Sequence, residues 1–224
     1  VCVSQAHAAQ GIAYLTWKAG PAEIGSYRIY SSSEAGFEIS SENFVAEVTG
    51  AAYTGLPGNG VHYYKIAAVG LNGNVSGASE AVCVQIERNF GSAYTGDADE
   101  NLAFGKKTDA SGVSAPAGTD NYELPSYAVD GLLSTKWSCR SSETNPGDGT
   151  GNYWLEIDLG KICVISRWTV YHAQAGGERA SYNTRDFRLQ AKIEGEWIDA
   201  DAVENNTNKK TDRNVNSFAA QFVR

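Results

Sequence analysis

Carboxylates are plentiful in this chain: its 224 residues hold 26 Asp and Glu against 18 Lys and Arg. Glu156 and Asp158 stand two apart, as do Asp199 and Asp201. Residues at i and i+2 of a strand share a face, so Glu156 and Asp158 look together toward solvent or neighbouring loops. Glycoside hydrolysis needs two carboxylates across a sugar-sized cleft with pKa values driven apart. Nothing in the sequence marks such a cleft. The three His, at 7, 62 and 172, make a Ser/His/Asp set hard to build, and no H-E-x-x-H, G-x-S-x-G or P-loop pattern is present. The four Cys, at 2, 83, 139 and 163, lack C-x-x-C spacing, which argues against zinc or thioredoxin-like chemistry. Cys2 and Cys83 fall near the first and last strands of the N-terminal half, where disulfide and free thiol both stay open. The residue types point to binding, not catalysis.

Strands must position any such site. Aromatics reach 11% with 12 Tyr and 5 Trp, Gly reaches 24 and Met is absent, a profile that suits turn-rich β-sandwiches. In the stretch 128–137, A-V-D-G-L-L-S-T-K-W, Asp130-Gly131 reads as a tight turn feeding Trp137. The stretch 153–160, Y-W-L-E-I-D-L-G, alternates with the period of a half-buried strand. In the N-terminal half, residues 12–18, 27–31 and 62–69 are the clearest strands. Residues 88–100 lose periodicity and gain Gly and acidic residues, so the domain boundary falls there, with Phe90 and Tyr94 pinning it. Residues 109–125 form a long polar loop, and loops of that length tend to be functional. Residues 163–172 form a strand with Val164, Ser166, Trp168, Val170 and His172 on one face and Ile165, Arg167, Thr169 and Tyr171 on the other. A loop over 173–183, a strand over 185–193 and a turn at Gly195-Glu196-Trp197 follow. Trp137, Trp154, Trp168 and Trp197 sit in strand patterns and read as core residues before binding platforms.

Two resemblances follow from these motifs. L-P-G-N-G-V-H-Y-Y-K-I-A-A-V over 56–69, then G-N-V-S over 73–76, with Trp17 as a second-strand core residue, resembles a fibronectin type III domain. His62 replaces that family's corner tyrosine, and its smaller ring can still bond backbone. No Arg-Gly-Asp or basic cluster occurs there, so the segment reads as a spacer; a binding role for Tyr14 or Tyr63 is the alternative. From Asn101 onward, the opening N-L-A…G-K, then A-V-D-G…T-K-W and Y-W-L-E-I-D-L-G, resembles the discoidin, or coagulation factor five/eight C, fold. Within it the chain is most similar to family 32 carbohydrate-binding modules. The run R-W-T-V-Y-H-A-Q-A-G-G-E…Y-N-T-R-D-F-R-L-Q resembles the subgroup on secreted endo-β-N-acetylglucosaminidases and α-mannosidases.

The resemblance implies an all-β chain. Residues 1–87 form a fibronectin type III-like sandwich, 88–100 a linker, and 101–224 a discoidin-like β jelly roll. It also implies that residues 217–224 begin the closing strands, so the jelly roll lacks its last strand and the chain is a piece of a longer polypeptide. For the turn it implies a structural calcium, with Asp130 giving a carboxylate and Thr135 a hydroxyl and a carbonyl. Leu132 and Leu133 stand where the family often has Asn or Asp, and Asp130 as a plain turn-former is the alternative. For the loops it implies a shallow sugar site of His172, Glu178, Arg179 and Asn183, with Tyr122 and Glu123 from the earlier loop. Sugar C–H faces pack on aromatic rings, and planar polar side chains bond neighbouring hydroxyls. The family's Arg and Asn stand five apart, where this chain has Glu178 and Asn183. His172 as a strand-end histidine and Asn183 as a turn residue are the structural alternatives.

The net charge of -8 argues against nucleic acid or anionic membrane as the main partner, and no apolar run approaches the roughly 20 residues of a membrane span. The sequence reading is a non-catalytic carbohydrate-binding piece of a secreted or cell-surface bacterial glycosidase that processes glycans. Its expected partners are galactose- or N-acetylhexosamine-type ends or mannose-containing N-glycans, and the parent's catalytic domain. Protein or matrix adhesion, and a purely structural module, are the alternatives.

Overall fold

A computed structural model describes residues 1–9, 11–97, 99–115, 121–139 and 153–224. Part of the expected 109–125 loop, residues 116–120, lies outside them. The chain is all-β and divides into two compact units, Val1–Asn89 and Phe90–Arg224. Among the described residues no helix is long and apolar enough to cross a membrane.

The first unit has seven strands: β1 Val3–Ala9, β2 Ile12–Trp17, β3 Ile24–Ser32, β4 Phe44–Val48, β5 Ala52–Gly55, β6 Gly60–Gly70 and β7 Val82–Ile86. They form a three-stranded sheet, β1-β2-β5, and a four-stranded sheet, β4-β3-β6-β7, with every pairing antiparallel. One buried cluster joins the inner faces, with Leu15 and Trp17 from β2, Tyr27 and Ile29 from β3, Tyr64 and Ile66 from β6, and Val84 and Ile86 from β7. These alternate along their strands because period-2 side chains turn one face inward. Trp17 meets Tyr27 edge-on at 5.2 Å. His62 Nε2 lies 2.8 Å from the Gly58 carbonyl, so the imidazole donates the corner bond that a tyrosine hydroxyl makes elsewhere. Cys2 and Cys83 are exposed free thiols, not a disulfide.

Among the described residues the second unit has one five-stranded antiparallel sheet, ordered β11-β10-β12-β9-β8. Its strands are β8 Lys107–Ala110, β9 Leu155–Tyr171, β10 Phe187–Ile193, β11 Glu196–Val203 and β12 Lys210–Val223. The two strands expected over 153–160 and 163–172 are one, β9, which runs on through Gly160. The residues expected to begin closing strands at 217 instead lie within β12, which starts at Lys210. Its first turn of sequence, K-T-D-R-N, lacks apolar alternation and so hides the strand start. The face assignment for 163–172 needs correcting. Cys163 and Ile165 are buried, then Trp168, Val170 and His172 turn inward, so the parity changes near Ser166. There the pairing slips, from Ile165 opposite Phe218 to Arg167 opposite Asn214. Extra residues on one strand of a pair rotate the side chains beyond them.

The core of this sheet is Leu159, Cys163, Ile165, Leu189, Ala191, Ile198, Phe218 and Ala220. Tyr94 docks on β9 with backbone bonds of 2.9 Å to Ile162 and 2.8 Å from Val164, so part of the 88–100 segment belongs to this unit. Short 3-10 turns occupy Pro125–Ala128, Ala173–Gly176 and Ala180–Tyr182.

Candidate functional site

Two loops of the second unit meet, and backbone bonds fix each of them. Glu123 donates its amide to Ser114 at 2.8 Å, and Ser114 donates to Ser138 at 2.9 Å. The Trp137 indole donates to the Gly112 carbonyl at 2.9 Å, which ties down the residue after Lys136. Gly131 carries the positive φ, 80°, that the Asp-Gly turn requires, and a Cβ there would sit 2.9 Å from the Phe104 ring. Across the gap, a Cβ on Gly176 would come within 2.5 Å of the Leu133 carbonyl oxygen. Only glycine permits that approach of the 173–183 loop.

The result is a charge cluster centred on a residue that the sequence reading passed over. Lys136 Nζ donates to Glu178, and lies 3.3 Å from Glu123 Oε1. Glu123 also accepts a hydrogen bond from the Ser138 hydroxyl. Burial pushes the Lys136 ammonium down, but hydrogen bonds to Glu178 and then Glu123 more than reverse this, leaving its pKa above the ordinary lysine value. The three side chains remain 33%, 22% and 35% accessible for Lys136, Glu123 and Glu178, so solvent and ligand can reach them. Tyr122, next to Glu123, and Tyr182, beyond Arg179, are exposed. Arg179 is exposed as well. The fold thus brings Glu123 and Glu178 together, with Tyr122 and Arg179 as their chain neighbours. Lys136 gave no signal, because a lone Lys inside a turn motif reads as a solvated charge.

His172 and Asn183 take supporting positions at the loop's base. His172 is buried at 5% exposure, its Nε2 is 2.9 Å from Thr211 Oγ1, and Phe187 meets its ring edge-on at 5.0 Å. Its Nδ1 is buried with no partner among the described residues. Burial lowers its pKa. Protonation would add a donor with nothing to accept it, so the folded state holds the ring neutral. Stability tied to His172 is therefore complete above the ordinary value of 6.5 and is lost as pH falls from there through the lower folded value. The urea midpoint of the second unit should drop between pH 7.5 and 5.5, and His172→Gln should flatten that drop; an equal slope in both proteins would contradict the assignment. Asn183 is engaged by Gln174 of its own loop and by the Asn208 carbonyl.

At the turn, Asp130 Oδ1 accepts the Leu132 amide at 2.8 Å, and Oδ2 accepts the Thr135 hydroxyl at 2.7 Å. The Thr135 hydroxyl bond, then the Leu132 amide, holds the Asp130 carboxyl below its usual range. Thr135 Oγ1 is also 3.2 Å from the Leu132 carbonyl oxygen. Asp130 Oδ2, Thr135 Oγ1 and Leu132 O are thus gathered as neighbouring ligands of one hard cation are gathered, which fits part of a six- to eight-oxygen calcium shell. The same bonds also close the turn with no ion.

Asp201, Asp199 and Asp158 have protein partners. Asp201 accepts Arg213 at 2.6 and 2.8 Å and the Trp168 indole at 2.9 Å. Burial raises its pKa, but Arg213 and Trp168 more than reverse that, leaving it low. Asp199 accepts from Arg188 at 2.8 Å and Gln190 at 2.6 Å, and Asp158 from Gln221 at 2.9 Å. Trp137, Trp154, Trp168 and Trp197 are all half-buried, neither core nor open platform.

In solved structures the chain is similar to the family 32 carbohydrate-binding module of Streptococcus pneumoniae EndoD, at 28% identity and a TM-score of 0.43, over 55% of this chain and 82% of that one. It is also similar to chitosan-binding module 2 of a Paenibacillus sp. IK-5 chitosanase/glucanase, solved with chitotriose, at 23% identity and a TM-score of 0.42, over 55% and 83% of the two chains. A Fn3-like protein from Clostridium thermocellum is similar at 27% identity and a TM-score of 0.32, over 39% of this chain and 90% of that one. No curated protein matches. The F5/8 type C domain model matches residues 107–224. That span holds the Asp130 turn, β9 and the central β12, and the chain belongs to the F5/8 type C domain family.

Proposed function

We propose that the second unit binds carbohydrate without catalysis, on the rim between residues 121–138 and 173–183. One observation carries this reading: Glu123 and Glu178, from loops 55 residues apart in sequence, converge on one accessible ammonium, Lys136. Carboxylates accept hydroxyl hydrogens and the ammonium donates to ring or hydroxyl oxygens, while the exposed rings of Tyr122 and Tyr182 can stack on a sugar's C–H face. An open rim excludes little water, so affinity is low; a Kd of about 1 mM corresponds to about 4 kcal/mol. Useful attachment then depends on several modules acting together. On this reading the ligands are galactose- or N-acetylhexosamine-type ends or mannose-containing N-glycans. The first unit is a spacer, and the parent is a secreted bacterial glycosidase. An NMR titration of the whole chain with methyl galactoside, N-acetylglucosamine and mannose tests the reading. Binding lost in Glu178→Ala supports it, and equal binding by both proteins moves the site elsewhere.

Protein or matrix adhesion is the second reading, favoured by the exposure of Phe104, Leu132 and Leu133 at 60%, 58% and 52%. If that surface serves adhesion, Leu132→Ser with Leu133→Ser leaves sugar titrations unchanged and removes protein capture.

The turn is proposed as a calcium site held by Asp130, Thr135 and the Leu132 carbonyl. The ion would lock the turn, and binding only the folded state at a hundred times Kd would stabilise it by about 2.7 kcal/mol. Chelator should lower the melting temperature by several degrees and calcium should restore it; a melt indifferent to both would remove calcium from the account.

A further inference from the structure

Asn183 reaches the loop's base with its whole amide committed. Its Oδ1 accepts the Gln174 backbone amide at 2.9 Å, and its Nδ2 donates to Gln174 Oε1 and to the Asn208 carbonyl, each at 3.2 Å. The orientation follows from the partners, since a backbone N–H can only face the oxygen and a backbone carbonyl only the nitrogen. These bonds span three segments: the turn Ala173–Gly176, the residue following Ala180–Tyr182, and the approach to β12. Two further bonds close the same base. The His172 amide donates to the Lys209 carbonyl at 2.9 Å, and Asn206 Nδ2 donates to the Asn208 carbonyl at 3.2 Å. Glu178 sits inside the loop so closed, with its own amide donating to Ala173 at 3.2 Å. Both Nδ2 hydrogens therefore have protein acceptors, and a bound sugar would have to break a loop bond to use one.

We propose that Asn183 is a positioning residue: it bolts the 173–183 loop to the approach of β12 and so presents Glu178 to Lys136 and to ligand. This rests on the binding reading above, but the loop role can be tested without any ligand. The full chain is compared with Asn183→Ala and Asn183→Asp by amide hydrogen exchange, and by titration with N-acetylglucosamine and methyl galactoside. Asn183→Ala should speed exchange at Gln174 and Glu178 by about tenfold or more, and weaken sugar binding by a similar factor. Asn183→Asp keeps an acceptor for the Gln174 amide, and the Gln174 side chain can flip to donate to it, but it removes the donor to the Asn208 carbonyl and sets a carboxylate oxygen against it. It should restore protection at Gln174 but, with the tie to Asn208 lost, recover only part of the affinity lost in Asn183→Ala. Unchanged exchange in Asn183→Ala overturns the proposal. So does an Asp variant that binds as tightly as wild type, because the tie to the approach of β12 would then position nothing. Loop loosening in a protein whose wild type binds neither sugar supports the positioning role and counts against the carbohydrate reading alone.

Discussion

Phe218→Ala should destabilise the second unit by about 3–5 kcal/mol, the largest effect expected of a single substitution in that unit. Phe218 is 1% exposed and sits on β12, between β10 and β9 in the sheet. It pairs with Ile165 where the register slips, so neighbouring backbone is already irregular and cannot close simply over a lost ring. The cavity cost then adds to the lost transfer energy. The first unit has its own core of Leu15, Trp17, Ile29, Tyr64 and Ile66, so its transition should stay in place. Denaturant unfolding followed by amide-resolved exchange separates the two. A loss below about 1 kcal/mol, or a common shift of both transitions, would contradict this packing.

Lys136→Met should abolish detectable sugar binding while the fold survives. Without the ammonium, Glu123 and Glu178 face each other across the same gap, and their like charges push the side chains apart. Lys136, Glu123 and Glu178 are all partly accessible, so their contribution to stability is small, under about 1 kcal/mol. Lys136→Arg keeps the charge and should retain part of the affinity. A titration that cannot tell Met from wild type would remove Lys136 from the site.

The strands that alternate cleanly could be read from the sequence, because apolar residues at period two leave little choice of face. That holds for Leu15 and Trp17 of β2, Tyr27 and Ile29 of β3, and Tyr64 and Ile66 of β6. Short β4 and β8 bury no residue fully and carry no such mark. The change of parity at Ser166 was hidden because it arises from β12, a strand distant in sequence. At the site, Glu123 and Glu178 were legible through their residue types. Lys136 was not, since its role depends on two acids brought in from either side. Nor was the part played by Asn183, whose partners stand nine residues before it and 25 after it. A side-chain amide's function depends on what surrounds it, and here only the folded loop shows that.

The central claim, a carbohydrate rim between the two loops, is tested most directly by an amide-resolved NMR titration of the whole chain with N-acetylglucosamine, methyl galactoside and mannose. The account predicts that at least one sugar shifts the amides of Tyr122, Glu123, Lys136, Glu178 and Arg179 together, saturating with a Kd of about 1 mM. Shifts confined to residues 1–89, or none with any of the three sugars, would contradict it.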